Sequence, residues 1–141
     1  MIEGILLTPL KRVEHPKGDI LHAMKASSPG YAGFGEAYFS TIAKGVIKGW
    51  KRHNRLALNI IVPVGEIRFV IHDDRASSPT AGEFFELMVG DSNYVRLSVP
   101  AGVWVGFQGQ HDWNMLLNII SEEHDPAESD NISLVEIAYD W

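Results

Sequence analysis

The chain has 141 residues, which is enough for one domain with a hydrophobic core. Hydrophobic residues make up 45% of the sequence and charged residues 21%, a balance that is typical of folded globular proteins and argues against disorder. The formal net charge of -6 offers no general attraction for nucleic acid, and the absence of cysteine excludes disulfides, thiolate metal sites and cysteine nucleophiles.

The amino terminus has none of the features of a targeting segment. It carries Glu3 where a signal peptide would have basic residues. No apolar run approaches the roughly 18 residues that a membrane span requires. We therefore expect a cytoplasmic protein that binds neither membranes nor nucleic acid, with a single domain over residues 1–141.

Short apolar runs separated by glycine and proline turns follow one another along the chain. No segment keeps a helical period over three turns, so about ten short strands predict an all-β sandwich or barrel. Among these folds, a jelly roll closes two sheets around a cavity that suits a small molecule. Residues 19–25 fit either a strand or a single helical turn, and the apolar runs 56–64 and 67–72 predict a hairpin around Gly65 and Glu66. The other predicted strands are 5–7, 11–13, 36–42, 83–89, 94–99, 103–107 and 113–120, and the tail 132–141 holds a final apolar run and an acidic, aromatic end.

A basic segment that contains a histidine lies between two apolar runs near the middle of the chain. Because side chains of a strand alternate between faces, we expect Lys51 and His53 on one face and Lys48, Trp50 and Arg52 on the other. A simpler interpretation is a solvated basic strand that protects a sheet edge from pairing with other chains. Both interpretations are compatible with these residues taken alone.

Four motifs resemble the dTDP-4-dehydrorhamnose 3,5-epimerase family of RmlC-like cupins, across nearly the whole chain. They are K-G-V-I-K-G-W-K at 44–51, similar to K-G-V-L-R-G-L-H; V-G-E at 64–66, similar to V-x-G-E; D-D-R-A-S-S-P-T-A-G at 73–82, similar to D-x-R-x-x-S-P-T-x-G; and P-A-G-V-W-V-G-F at 100–107, similar to P-E-G-F-A-H-G-F. In addition, K-G-D at 17–19 lies where the family has an R-G turn.

The resemblance implies a cupin-type jelly-roll β-barrel or sandwich, a homodimer, and removal of protons next to the 4-keto group of a dTDP-sugar in surface polysaccharide synthesis. The family's catalytic histidine corresponds to Lys51, and a later histidine corresponds to Val105. Two site tyrosines correspond to Asn118 and His124, and the active-site lysine corresponds to Leu58. The carboxyl-terminal segment that supplies the family's partner aspartate is expected to be absent.

These replacements require the catalytic roles to be reassigned. A neutral histidine titrates near working pH, so His53 is the better base, and the cation Lys51 on the same strand face would stabilise the enolate. By its place in the family alignment, His124 would return the proton and Asn118 would orient the keto oxygen. Lys48, Arg55 and Arg75 are candidate diphosphate contacts, arginine being suited to forked phosphate contacts, and Trp104 is predicted to line the cavity.

Two other functions remain open at this point. The first is that of a catalytically degenerate member that binds a nucleotide sugar or carbohydrate without turnover, which is indicated by the departure of Lys51, Val105 and Leu58 from the family pattern. A metal-dependent cupin needs three or more ligands, and only His53 survives from the usual H-x-H and later histidine. We therefore expect no metal or other cofactor. His72, with the two aspartates that follow it, is interpreted as a solvated turn.

Overall fold

The computed structural model of the protein describes residues 1–141 and contains twelve strands and two short 3-10 helices. The helices are Pro126–Glu128 and Leu134–Glu136. The strands are β1 (Leu6–Pro9), β2 (Arg12–Val13), β3 (Ile20–Leu21), β4 (Glu36–Ala43), β5 (Ile47–His53), β6 (Leu58–Val64), β7 (Glu66–His72), β8 (Phe84–Gly90), β9 (Val95–Val99), β10 (Trp104–Gly109), β11 (Trp113–Ile120) and β12 (Ser129–Asn131). No helix has the length and apolar character that crossing a membrane demands.

Two five-stranded antiparallel sheets form the body of the molecule. The first sheet has the order β1-β9-β6-β11-β4, and the second has the order β12-β5-β10-β7-β8. β2 and β3 form a separate two-stranded ribbon, which resolves the ambiguous segment after Asp19 as a strand. The sheets do not close into a continuous barrel, so the architecture is the sandwich form of the predicted cupin-type jelly roll, and the all-β prediction is confirmed.

Alternating hydrophobicity positions the core between the sheets. Along β11 every second side chain is buried, including Leu116 and Ile120, while the residues between them are partly exposed. Opposite them, β7 contributes Ile67, Phe69 and Ile71, each with 0% of its surface exposed. Burying such side chains contributes about 1.5–3 kcal/mol each, so this shared core holds the sheets face to face.

The predicted hairpin between β6 and β7 is wrong, because these strands lie in different sheets. β6 pairs with β9 and β11, whereas β7 pairs with β8 and β10. Gly65 makes the corner with a φ of 77°, and a Cβ there would lie 2.4 Å from Asn114 Oδ1. That oxygen accepts the Glu66 amide at 2.9 Å and helps to fix the corner. The apolar runs correctly predicted the two strands. A short turn between two strands does not by itself determine that they pair with each other.

A second, smaller apolar cluster lies on the outer face of the second sheet. It consists of Trp50, Val70 and Trp104, and the tail after β12 packs over it. The apolar run of the tail 132–141 therefore covers the outer face of this sheet. Trp141 stacks at a tilt against Trp50, with 5.3 Å between ring centroids.

The loop after β7 is held by a fully buried aspartate, Asp73, so the interpretation of this segment as a solvated turn is wrong for that residue. Asp73 accepts Arg75 Nε at 2.8 Å, and the hydroxyls of Ser78 and Thr80 both donate to its Oδ2 at 2.6 Å. The Arg75 guanidinium and these donors outweigh the opposing effect of burial and hold the pKa of Asp73 far below its usual range. The motif therefore has a structural role in which the carboxylate must stay ionised.

Asp73→Asn is expected to destabilise the protein by about 3 kcal/mol near neutral pH, because it leaves buried donors and Arg75 without their charged partner. The pKa of Asp73 is lower in the folded state than its unfolded value of about 3.9, so ionisation of this carboxyl stabilises the fold above about pH 4. That stabilisation is lost as the pH falls toward the folded-state pKa. The difference between wild type and variant should therefore shrink below about pH 4. Urea unfolding at several pH values measures it, with exposed Asp112→Asn as the control; a pH-independent difference would contradict the assignment.

Candidate active site

A cavity of about 350 Å³ lies between the two sheets at the end where β5 and β11 face each other. Its walls differ in chemistry, because the second sheet supplies the basic residues and the first supplies neutral polar and apolar ones. From the first sheet come Tyr38, Ser40, Leu58, Ile60, Leu116 and Asn118. From the second sheet and the segment after it come Lys48, Gly49, Trp50, Lys51, His53, Val105, Phe107, Asn131 and Ile132.

An irregularity in β5 brings both of its lysines to this cavity. Lys51 lies opposite Val105 and Lys48 opposite Phe107, and the register shifts between these two pairs. One extra residue in β5 breaks the simple alternation of faces. The prediction that Lys48 lies on the face opposite Lys51 and His53 is therefore wrong, and all three side chains line the cavity.

His53 forms a buried pair with Glu128. Nδ1 of His53 lies 2.6 Å from Glu128 Oε1, and each residue has 6% of its surface exposed. The strand β12 pairs with β5 so that Ser129 lies opposite His53, which places the preceding glutamate beside the imidazole. The 3-10 helix Pro126–Glu128 is capped by Asp125, whose carboxylate accepts the Ala127 amide at 3.0 Å.

The surroundings of Glu128 favour its ionised form. Burial opposes ionisation, but the amides of Arg55 and Leu56 donate to Oε2 at 2.9 and 3.1 Å, and together with the His53 contact they lower the pKa of Glu128. An ionised carboxylate accepts a hydrogen bond from the Nδ1–H group, which orients the imidazole and leaves Nε2 as the nitrogen that can take up a proton. His53 therefore carries an oriented base at the cavity wall.

Glu128 is the site residue that sequence reasoning missed. The resemblance led us to expect no carboxylate partner near the carboxyl terminus, yet Glu128 occupies such a position against His53. The available signal was a lone glutamate after an Asp-Pro helix start. Nothing local indicated which residue it would meet, because its partner lies 75 positions earlier in the chain.

The two cavity lysines differ in how they are held. Lys48 Nζ donates to the Thr41 carbonyl at 2.7 Å and to Ser40 Oγ at 3.3 Å, which connects the two sheets. Lys51 makes no hydrogen bond or ion pair within the chain and is half-buried. Its ammonium is therefore the cation available to a negatively charged group in the cavity.

Asn118 does not present its amide to the cavity as a free group. Its Nδ2 donates to the hydroxyl of Tyr38 at 2.9 Å, and its Oδ1 is enclosed without a partner. The two residues lie opposite each other in the β4–β11 ladder. Sequence reasoning placed Asn118 correctly at the cavity but missed the tyrosine that it contacts.

His124 and Arg55 lie outside the cavity lining. His124 is exposed in the turn after β11, and Arg55 forms an ion pair with Glu122 on the surface. The expectation that His124 reaches the reacting centre rested on alignment alone, and the turn places it on the exterior instead. The structure does not bring either side chain to His53.

Arg75 and Trp104 also lie away from the cavity. Arg75 is occupied by Asp73, and the indole of Trp104 donates to Asp74 Oδ2 at 2.8 Å. The prediction that Trp104 lines the cavity is wrong, because it follows the alternation of β10 and points away from the side on which Val105 lies. No group of three or more His, Asp and Glu side chains is arranged to hold a metal ion.

Two facing antiparallel sheets with a polar cavity between them define a cupin-type sandwich with a small-molecule site. The family model for dTDP-4-dehydrorhamnose 3,5-epimerase matches residues 1–141, and the chain belongs to this family.

The chain is also similar to solved structures. A dTDP sugar isomerase from Desulfovibrio desulfuricans is 34% identical, with a TM-score of 0.91 over 94% of this chain and 85% of that one. NovW from Streptomyces spheroides, a 4-keto-6-deoxy sugar epimerase, is 23% identical and shares the fold, with a TM-score of 0.88 over 99% of this chain and 75% of that one.

Two curated relatives are named for polysaccharide synthesis. The probable low-salt glycan biosynthesis epimerase Agl13 of Haloferax volcanii is 31% identical over 96 residues, which cover 67% of this chain and 62% of the relative. The spore coat polysaccharide biosynthesis protein SpsL of Bacillus subtilis is 28% identical over 108 residues, covering 77% of this chain and 72% of the relative. The match thus spans less than two thirds of the Haloferax protein.

Proposed function

We propose that the protein epimerises a dTDP-4-keto-6-deoxy sugar by removing a proton from a carbon next to the keto group, within surface polysaccharide synthesis. The observation that carries this proposal is the buried pair of His53 and Glu128 at a cavity that also contains the unpaired cation Lys51. Deprotonation next to a carbonyl needs a positioned base and a group that stabilises the enolate oxygen. The second sheet supplies both.

In the proposed reaction His53 Nε2 takes the proton from the carbon, and the electrons of the broken C–H bond move into the enolate. Glu128 holds the imidazole through Nδ1 and balances the positive charge that forms on it. Lys51 approaches the developing negative charge on the keto oxygen as a cation. The reaction uses no metal or other cofactor.

The volume of the cavity indicates which part of the substrate binds inside it. At about 350 Å³ it is near the lower end of the range of about 300–1,000 Å³ for small-molecule sites. We therefore place the sugar ring inside it and the nucleotide at its mouth, where Lys48 is the nearest of the proposed diphosphate contacts. The 34% identity to a dTDP sugar isomerase supports the choice of nucleotide, and the names of the two curated relatives support the pathway.

We also propose that the protein is a cytoplasmic homodimer with one domain per chain. Phe39 on the edge strand β4 and Trp113 on β11 expose 65% and 55% of their surfaces. Both side chains lie on the outer face of the first sheet, which we propose as the surface that binds the second copy. Light scattering after size exclusion measures the mass directly, and a monomer at micromolar concentration would contradict the dimer.

Incubation with dTDP-4-keto-6-deoxyglucose, followed by borohydride reduction and identification of the sugars, tests the proposed reaction. We expect sugars inverted at C3, at C5 or at both, and a slower reaction with the UDP-linked analogue. Unchanged sugar together with saturation-transfer contacts to the nucleotide would instead support the alternative, a binder without turnover. That alternative is favoured by Lys51, Val105 and Leu58, which depart from the family pattern.

A further inference from the structure

Resting on the proposed function, we propose that Tyr38 is the catalytic residue that returns the proton to the enolate, and that Asn118 is its positioning residue. Inversion at a carbon requires a proton donor on the side of the enolate opposite the base. The base His53 lies on the second sheet. The donor must therefore come from the first sheet, across the cavity.

Tyr38 is the one titratable side chain that the first sheet contributes to the cavity. The other side chains lining that wall are a serine, an asparagine and three aliphatic residues. A serine hydroxyl is a far weaker acid than a phenol, and an asparagine amide does not give up a proton near neutral pH, although it donates hydrogen bonds. The composition of the wall alone thus selects Tyr38.

The hydrogen bond from Asn118 leaves the phenolic proton available. Asn118 Nδ2 donates at 2.9 Å, so the Tyr38 oxygen acts as the acceptor in that contact, and the hydroxyl has no other partner in the chain. Its own O–H can therefore point to a substrate in the cavity. The amide also remains to stabilise the oxygen after the proton has left.

A cation lies close to the same stretch of wall. Lys48 reaches across the cavity to Ser40, which is two residues from Tyr38 and on the same face of β4.

In the proposed step the Tyr38 O–H bond breaks, a C–H bond forms on the enolate carbon, and the electrons of the enolate return to the keto group. The phenolate that results takes a proton from water, while the imidazolium of His53 releases one.

Tyr38→Phe separates this role from that of the base. In heavy water His53 would still remove the proton and return a deuteron to the same side, so exchange should stay within about 10-fold of wild type. Epimer formation should fall by at least about 100-fold, the usual scale for loss of a positioned acid. Proton NMR follows both in one sample. Tyr31→Phe, at a tyrosine outside the cavity, is the matched control.

Asn118→Leu should also lower epimer formation while leaving hydrogen exchange nearly unchanged. The loss of epimer formation should be smaller, about 10-fold, because the phenol is still present and lacks only its fixed orientation. A purely structural effect would lower exchange and epimer formation together. Parallel loss in Tyr38→Phe, or epimer formation within a few-fold of wild type, would overturn the assignment of Tyr38 while leaving the proposed function intact. Absence of both processes in the wild type would overturn both proposals.

A second measurement applies if Tyr38→Phe does not fold. Replacing residue 38 by 3-fluorotyrosine keeps the shape of the ring but makes the hydroxyl more acidic. The alkaline limb of the pH profile for epimer formation should then move to lower pH, because the donor loses its proton earlier. An unshifted limb would contradict a proton-donating role for this residue.

Discussion

His53→Gln is expected to lower the rate of proton removal next to the keto group by about 1,000-fold, within the range found for loss of a general base. Glutamine is the appropriate replacement because its amide can still donate to Glu128, whereas alanine would leave a buried carboxylate without its partner. Binding of the nucleotide sugar should change by only a few-fold. Hydrogen exchange at the sugar and titration with dTDP measure the two effects separately.

Glu128→Gln provides the second half of this test. It removes the charge that balances the imidazolium but keeps the size of the side chain, so we expect a loss of about 100-fold in the same rate. His22→Gln, at a histidine outside the cavity, is the control. Unchanged exchange in His53→Gln would remove His53 as the base, and unchanged exchange in Glu128→Gln would reduce the pair to a structural contact.

Lys51→Met should lower kcat by about 100-fold or more with a much smaller change in KM. The ammonium is expected to interact with charge that develops on the keto oxygen only as the proton leaves, so its loss falls on the transition state. Methionine keeps most of the unbranched apolar chain. Steady-state kinetics and the melting temperature are compared with those of Lys11→Met, at an exposed lysine outside the cavity.

Equal loss of kcat/KM and of binding affinity in Lys51→Met, with kcat preserved, would make Lys51 a binding residue alone. This distinction matters for the comparison with the family. The position is a histidine in the family pattern, and the lysine here cannot serve as the same base while it is charged. A loss confined to binding would mean that a group other than Lys51 stabilises the enolate.

The fold was predictable from the sequence because its signals are local. Each strand is a short apolar run bounded by glycine or proline, and the loop at 73–82 carries a motif whose aspartate, arginine, serine and threonine form one hydrogen-bonded unit in the structure. The corner at Gly65 was not predictable, since adjacent strands with a tight turn usually pair. Asn114, far away in sequence, holds that corner instead.

Only the part of the candidate site that lies on a single strand was predictable from the sequence. Lys51 and His53 both line the cavity, as their spacing of two residues predicts. Lys48 also lines the cavity, because the register between β5 and β10 shifts. The sequence of β5 alone does not predict this shift. Tyr38 and Asn118 meet across 80 residues, and His53 and Glu128 across 75, so neither contact is visible in a local pattern.

The division of chemistry between the two sheets follows from these long-range contacts. The second sheet brings a histidine and two lysines to one wall, and the glutamate that pairs with the histidine comes from the 3-10 helix before β12. The first sheet presents a tyrosine that an asparagine contacts. A ring held between these walls would have a base on one side and a donor on the other. Such an arrangement is what inversion at a carbon next to a carbonyl requires.

Proton NMR of dTDP-4-keto-6-deoxyglucose in heavy water, with wild type and with His53→Gln, shows whether His53 removes a proton next to the keto group. The C3 or C5 proton signal should disappear with wild type and persist about 1,000-fold longer with the variant. Persistence of both signals with wild type, while saturation transfer shows that the nucleotide sugar is bound, would contradict it.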